Sequence, residues 1–207
     1  MNYKKEKIYR YKEYDYSSDG FYFITICTGK RKMFLGKFEG EDLILSKLGK
    51  IADVCWKEIP AHFENVIIDH YVVMPNHFHG IVQIKNKNRA VPCSYDDNIS
   101  RRRALPCAVG KKKNLSKFGQ VMPKTLSTII GSFKSAVSRR INADYSYLNF
   151  FWQSRFYDRI IRNDEELNKI RQYIINNPFK WHLDRNNPDN INRIGQCPVS
   201  KDEFYEI

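Results

Sequence analysis

The chain has 207 residues, enough for one domain with a sizeable core, and its 42% hydrophobic and 28% charged residues are ordinary globular usage. Lys and Arg number 35 against 23 Asp and Glu, and the formal charge of +12 points to a polyanionic partner, nucleic acid before membrane. No apolar run is long enough to span a membrane, the charged N-terminus lacks a signal-type apolar stretch, and five scattered cysteines without a CxxC pair argue against a disulfide framework or a structural zinc, so a reducing cytoplasm is the expected compartment.

In chain order, the first residues interleave Tyr3, Tyr9, Tyr11, Tyr14 and Tyr16 with Lys4, Lys5, Lys7, Arg10 and Lys12. Phe21 to Thr28, FYFITICT, is aromatic and β-branched and predicts a buried strand. Gly29 to Lys32 turns the chain, and a hairpin is expected around Met33 to Leu45. Leu48, Ile51, Ala52, Val54, Cys55 and Ile59 recur at helical spacing, with Pro60 as the stop. Two strands follow, Asn65 to Met74 and His77 to Ile84, with Pro75-Asn76 as the turn between them.

Lys85 to Lys117 has no sustained periodicity and carries ten basic and two acidic residues, so it holds +8 of the chain's +12. RAVPC (Arg89 to Cys93) returns 14 residues later as RALPC (Arg103 to Cys107), which marks a flexible basic insert enlarged by local duplication. Thr125 to Asn142 then predicts an amphipathic helix with Leu126, Ile129, Ile130, Phe133, Val137 and Ile141 in one stripe. Phe150 to Ile161 is strand-like. Asn163 or Asp164 caps a helix running from Glu165 to about Asn177, with Ile174 and Ile175 facing the sheet and Pro178 ending it. An irregular tail follows from about residue 184. The expected fold is α+β, a ferredoxin-like antiparallel sheet with helices packed on one face, in a single domain over residues 1–207.

Three constellations carry chemistry. His77-Phe78-His79 lies in a predicted strand, where residues i and i+2 share a face, so both imidazoles project together and suit a divalent ion. The same pattern equally describes two polar residues on a half-exposed strand, and Gly80 beside them is expected to leave room for a ligand backbone. Tyr173 and Asn177 lie four apart on a helix and share a face; a tyrosine hydroxyl can act as a nucleophile and an amide oxygen can complete a metal site. Packing for the tyrosine and a helix stop for the asparagine are the ordinary alternatives. Lys30, Arg31 and Lys32, with Arg155, Arg159 and Arg162, stand among aromatics, a combination that meets phosphates and unpaired bases.

The segments DYSSDGFYFITICT, YVVMPNHFHGIV, FKSAVSRRIN and FWQSRFYDRIIRNDEELNKIRQYIINNPFKW, in that order, resemble the REP-associated tyrosine transposases, relatives of the single-tyrosine HUH transposases. The resemblance covers roughly residues 9–85 and 120–183. It implies an HUH-nuclease type of ferredoxin-like fold, His77 and His79 as metal ligands with Phe78 as the hydrophobic "U", Tyr173 as nucleophile and Asn177 as third ligand. It further implies Mg²⁺ or Mn²⁺ as cofactor, single-stranded or hairpin DNA as partner, cleavage and strand transfer through a 5′-phosphotyrosine, and a monomer or homodimer. The competing expectation is a domesticated, non-catalytic nucleic-acid-binding module in which Phe21, Tyr22 and Phe23 stack bases on an open sheet. A third is a relaxase-like nicking enzyme acting at a replication origin.

Overall fold

The computed structural model describes residues 14–85, 125–184, 186–188 and 190. Strands β1 (Gly20–Cys27), β4 (Val66–Val73), β5 (His77–Ile84) and β6 (Tyr157–Ile161) form one antiparallel sheet in the order β4-β5-β1-β6. Between β1 and β4 lie a two-stranded hairpin, β2 (Gly36–Glu39) and β3 (Asp42–Leu45), then helices α1 (Lys47–Lys57) and α2 (Ile59–His62). Helix α3 (Leu126–Tyr145) joins β5 to β6, and α4 (Asp164–Asn176) follows β6. Two β-α-β crossovers thus interleave and bring β1 and β5 together at the centre, which is the expected ferredoxin-like arrangement.

Local chemistry explains the element ends. Ser46 caps α1 by accepting the Gly49 backbone N–H at 3.1 Å, and Thr125 and Asn163 do the same for α3 and α4. Asp164, Glu165 and Glu166 fill the first turn of α4, where the helix dipole favours anions. Pro60 was expected to stop the first helix. Instead α1 ends at Lys57, and Pro60 sits in the first turn of α2, where its missing N–H has no intrahelical partner to lose. The predicted strand from Phe150 shrinks to β6, and its first part survives only as the Thr28–Trp152 bridge.

The sheet is covered on both sides, which corrects the expectation of helices on one face. Tyr22, Ile24 and Ile26 of β1 and Phe78, Val82 and Ile84 of β5 pack with Trp56 of α1 and Phe133 of α3 in the larger core. Phe23, Ile81 and Ile161 point the other way and meet Leu167, Ile170 and Ile174 of α4. Strand alternation dictates this division. Two ferredoxin-like helices do share a face; the helix after the last strand takes the opposite one. Ile174 is buried against the sheet as expected, but Ile175 is 46% exposed.

Two further expectations change. A Cβ on Gly80 would lie 2.6 Å from the Trp56 ring, so Gly80 admits that indole to the sheet and faces the large core, not a ligand. Tyr22 is fully buried and Phe23 nearly so, and among the described residues no open sheet carries the expected Phe21, Tyr22 and Phe23 stacking platform. Tyr14 and Tyr16 pack edge-on with each other and against Tyr22, so this end of the tyrosine-rich segment is core packing. The Tyr/Lys residues before it, the basic insert over 86–117 and the tail from 191 fall outside the described residues. Among the described residues no helix is long and apolar enough to cross a membrane.

Candidate active site

Strand β5 divides its side chains between two environments. Phe78 is fully buried, stacks on Tyr71 and packs at a tilt against Trp56 in the large core. His77 and His79 point to the opposite face, the side that α4 covers, with ring centroids 4.6 Å apart. Their exposures are 0% and 3%. Two imidazoles buried this deeply need partners that define their protonation.

Those partners are supplied by the neighbouring backbone and strand. Asn76 Nδ2 donates to the carbonyls of Arg31 (3.2 Å) and Asn186 (2.6 Å), which turns its Oδ1 toward His77. Oδ1 can only accept, so His77 Nδ1, 2.9 Å away, carries a proton, and in the neutral ring Nε2 keeps the lone pair. Thr25, directly opposite His79 in the β1–β5 ladder, places its hydroxyl 2.8 Å from His79 Nδ1. The Tyr173 hydroxyl lies 3.4 Å from His79 Nε2. With Tyr173 donating there, Nδ1–H of His79 donates to Thr25 Oγ1. Both Nε2 atoms then carry lone pairs, and fixing a ring by its other nitrogen is the usual arrangement of metal-binding histidines.

Tyr173 is carried by α4, and α4 is tied down at three places. Its apolar face meets the small core of Phe23, Ile81 and Ile161. Glu166 pairs with Arg159 Nε of β6 at 2.7 Å. Arg171, two residues before Tyr173, forks onto Asp69 of β4 through Nε and Nη2. A bulge makes that fork possible. Ile68 faces Val82 and Tyr71 faces Gly80, so Asp69 and His70 oppose a single residue of β5, and Asp69 is turned toward α4. Burial would raise the Asp69 pKa, but Arg171 and the His70 N–H groups outweigh it and hold the carboxyl at about 2. The phenol edge of Tyr173 packs on Phe23, which itself stacks on His79.

Of the residues singled out from sequence, His77, His79 and Tyr173 come together. Asn177 ends α4 one turn beyond Tyr173, 4% exposed, and its Oδ1 has no hydrogen-bond partner among the described residues. Lys30 and Arg31 both take left-handed backbone angles (φ 54° and 53°) in the turn after β1, and Lys30 and Lys32 are exposed. The Arg31 carbonyl is one of the two that hold Asn76, so this basic turn abuts the His77 end of the site. Arg155 is exposed, whereas Arg159 is engaged by Glu166.

Sequence reasoning missed Asp184. It ends the short 3-10 turn Trp181–Leu183, and its Oδ2 lies 3.6 Å from His77 Nε2. The nitrogens of His77 and His79 and a carboxylate oxygen of Asp184 all lie within 4.8 Å of one another. Trp181 stacks on His77 and, on the β2 side, near-parallel to Phe38. Asp184-Arg185-Asn186 carries the Asx-turn signature, but nothing local says where such a turn docks. Asn76 was legible only as half of a turn dipeptide.

The grouped donors fit a divalent cation: two imidazole nitrogens and a carboxylate are borderline-to-hard ligands of the kind Mg²⁺ and Mn²⁺ accept.

No known protein-family profile matches the chain. It is 34% identical over 176 residues to an uncharacterized protein of Haemophilus influenzae, across 85% of this chain and 89% of that one. Among solved structures it resembles a REP-associated tyrosine transposase bound to a REP hairpin, with a TM-score of 0.50 and 17% identity, over 83% of this chain and 73% of the other. At that identity the likeness establishes the fold. The chain therefore belongs to one family with the Haemophilus influenzae protein, and its ferredoxin-like α+β fold is of the transposase type.

Proposed function

We propose that the protein is a metal-dependent transposase-type enzyme that cleaves and rejoins single-stranded DNA next to a hairpin, in the cytoplasm, through a 5′-phosphotyrosine on Tyr173. The observation that carries this reading is the convergence of the Tyr173 hydroxyl, 3.4 Å from His79 Nε2, on a buried pair of histidines whose rings are 4.6 Å apart. The fold shared with a hairpin-bound transposase and the charge of +12 support the choice of substrate.

In this mechanism His77, His79 and Asn177 would hold Mg²⁺ or Mn²⁺, with Asp184 as a further donor. When bound, the cation supplies Lewis-acid polarisation of the scissile phosphate. The remaining work falls to the chain. Asn76 and Thr25 fix the imidazoles so that both Nε2 lone pairs face inward. The Asp69–Arg171 fork and the small core hold α4 so that Tyr173 faces the same space. The Tyr173 oxygen forms the new O–P bond and gives its proton to solvent. The P–O3′ bond breaks, and the leaving oxygen takes up a proton to become a free 3′-hydroxyl. Attack by a 3′-hydroxyl on the phosphotyrosine reverses the bookkeeping and rejoins DNA, so no nucleotide cofactor is consumed. Lys30, Arg31, Lys32 and Arg155 are the basic side chains offered as phosphate contacts, the Arg31 turn abutting the site through Asn76.

The test is a covalent-adduct assay. Labelled single-stranded hairpins from inverted repeats flanking the gene are incubated with Mn²⁺ and either wild type or Tyr173→Phe. Label on denatured wild-type protein, mapped to Tyr173 and absent from the variant, is the expected result. Adducts that persist in Tyr173→Phe, or full cleavage in EDTA, would overturn the assignment.

A further inference from the structure

The large core has an open side, away from the histidines. Between α3 and the corner where α1 meets α2 lies a cleft of about 230 Å³. Its floor is apolar: Ile59, Phe133 and Cys55 are buried, and Phe63 packs against the same core. Burial pushes the Cys55 thiol up, so it stays protonated and serves as floor, not as a nucleophile. Phe133 also packs on Phe78, whose neighbours His77 and His79 point to the other face, so the sheet separates this cleft from the candidate active site.

The rim is polar and charged. Arg140 of α3 reaches across to Glu58, with Nη2 2.7 Å from Oε2, and that pair neutralises itself. Arg139, exposed beside it, has no carboxylate partner among the described residues, so two arginines stand against one glutamate and the lining is net positive. Ser132, also exposed, adds a hydroxyl. These groups set three demands on an occupant. The apolar floor suits a ring, since an apolar cavity of about 150 Å³ already admits benzene. The uncompensated guanidinium asks for an anion, phosphate above all, because its fork matches phosphate oxygens. Glu58 Oε1, the oxygen that Arg140 leaves, accepts a hydrogen bond and so favours a ring that carries N–H groups. A ring with N–H donors and a phosphate is a nucleotide. The volume, below the roughly 300–1,000 Å³ of sites for larger ligands, limits the occupant to one base.

We propose that this cleft binds a nucleotide, with the base on the floor of Phe133 and Ile59 and the phosphate at Arg139. It is a second site, which uses none of His77, His79 and Tyr173 and does not depend on the chemistry proposed for them. The nucleotide is either free or an unpaired residue of a DNA strand, and the chemistry of recognition is the same in both. In a strand it anchors the DNA on the face of the sheet opposite the histidines.

Calorimetry on the full chain in EDTA tests this, since chelation removes any phosphate held through a metal at the histidines. The deoxynucleoside monophosphates, a deoxynucleoside and inorganic phosphate are titrated into wild type, Arg139→Ala and Ser132→Trp. A monophosphate should bind saturably, about 10-fold or more tighter than the nucleoside or inorganic phosphate. Arg139→Ala should lose about 10-fold for the monophosphate and little for the nucleoside. Ser132→Trp, at the exposed rim, should block both while unfolding at nearly the wild-type temperature. A fluorescent monophosphate separates the two sources. Its displacement by a mixed-sequence single-stranded oligodeoxynucleotide assigns the cleft to a strand, and its retention at saturating oligonucleotide assigns the cleft to free nucleotide. No saturable nucleotide binding, binding that both variants leave unchanged, or inorganic phosphate binding as tightly as the monophosphates would overturn the proposal. So would a Ser132→Trp variant that dissociates a wild-type dimer in sedimentation and still binds nucleotide, which would assign the cleft to a second copy. Tyr173→Phe should bind the monophosphate as wild type does, so this proposal and the phosphotyrosine reading fail separately.

Discussion

The two faces of the sheet are built by different rules. The face under α1 and α3 is a continuous aromatic core in which Trp56, Phe78, Phe133 and Tyr71 pack ring on ring. Among the described residues the face under α4 gathers six buried apolar side chains with Phe21 and Val72 at their margin, and beside them stand polar groups: two histidines, Thr25, Tyr173, Asn177 and Asp184. One strand, β5, serves both, so the first face anchors what the second presents. A rigid site does not need a large core on its own side if the strand that carries it is fixed from behind.

This comparison makes its strongest prediction at Phe78. Phe78→Ala should cost about 3–5 kcal/mol in chemical denaturation, although Phe78 touches no chemistry, because it empties the centre of the large core. A loss as small as that of an exposed residue would mean that the α1/α3 face does not anchor β5. Gly80→Ala comes next, at about 1–3 kcal/mol, since its methyl group would meet Trp56 at 2.6 Å.

On the other face the effects should shift from stability to activity. Asp69→Asn or Arg171→Ala should cost only about 1–2 kcal/mol, the Arg171 side chain being 31% exposed, yet should lower adduct formation by at least about 10-fold through a misplaced Tyr173. Equal losses of stability and rate in these variants and in Phe78→Ala would erase the distinction between the faces. The same carboxylate has a pH signature. Its pKa is depressed to about 2 in the folded chain, so its contribution is complete above about pH 4 and disappears as pH falls toward 2. Acid titration of stability should therefore be flatter for Asp69→Asn than for wild type between those limits. The smallest effect is Asn163→Ala, about 1 kcal/mol, from the lost cap on Glu166 N–H.

What the sequence made legible were features with a short period. Alternation along β5 placed both histidines on one side with Phe78 opposite, and the helical stripe of α3 appears in the core residue for residue. Tyr173 and Asn177 emerged from their spacing and from the resemblance. Features fixed across long stretches of chain stayed hidden. Asp184 reaches His77 from 107 positions away, and Asn76 meets Asn186 across 110. Gly80 was assigned to the wrong side because a glycine carries no polarity by which to judge its face. Which side α4 would choose was equally undetermined: its stripe of Leu167, Ile170 and Ile174 fits either.

The bulge in β4 has a second consequence, for how this molecule meets copies of itself. β4 is an edge strand of eight residues, long enough to template another strand. Its regular ladder is interrupted between Ile68 and Tyr71, and the interruption carries Asp69 and His70. A neighbouring chain would find neither an unbroken row of backbone groups nor a neutral edge. The irregularity that aims a carboxylate at Arg171 also discourages sheet extension, so regularising β4 by deleting His70 would loosen α4 and expose an adhesive edge in one step.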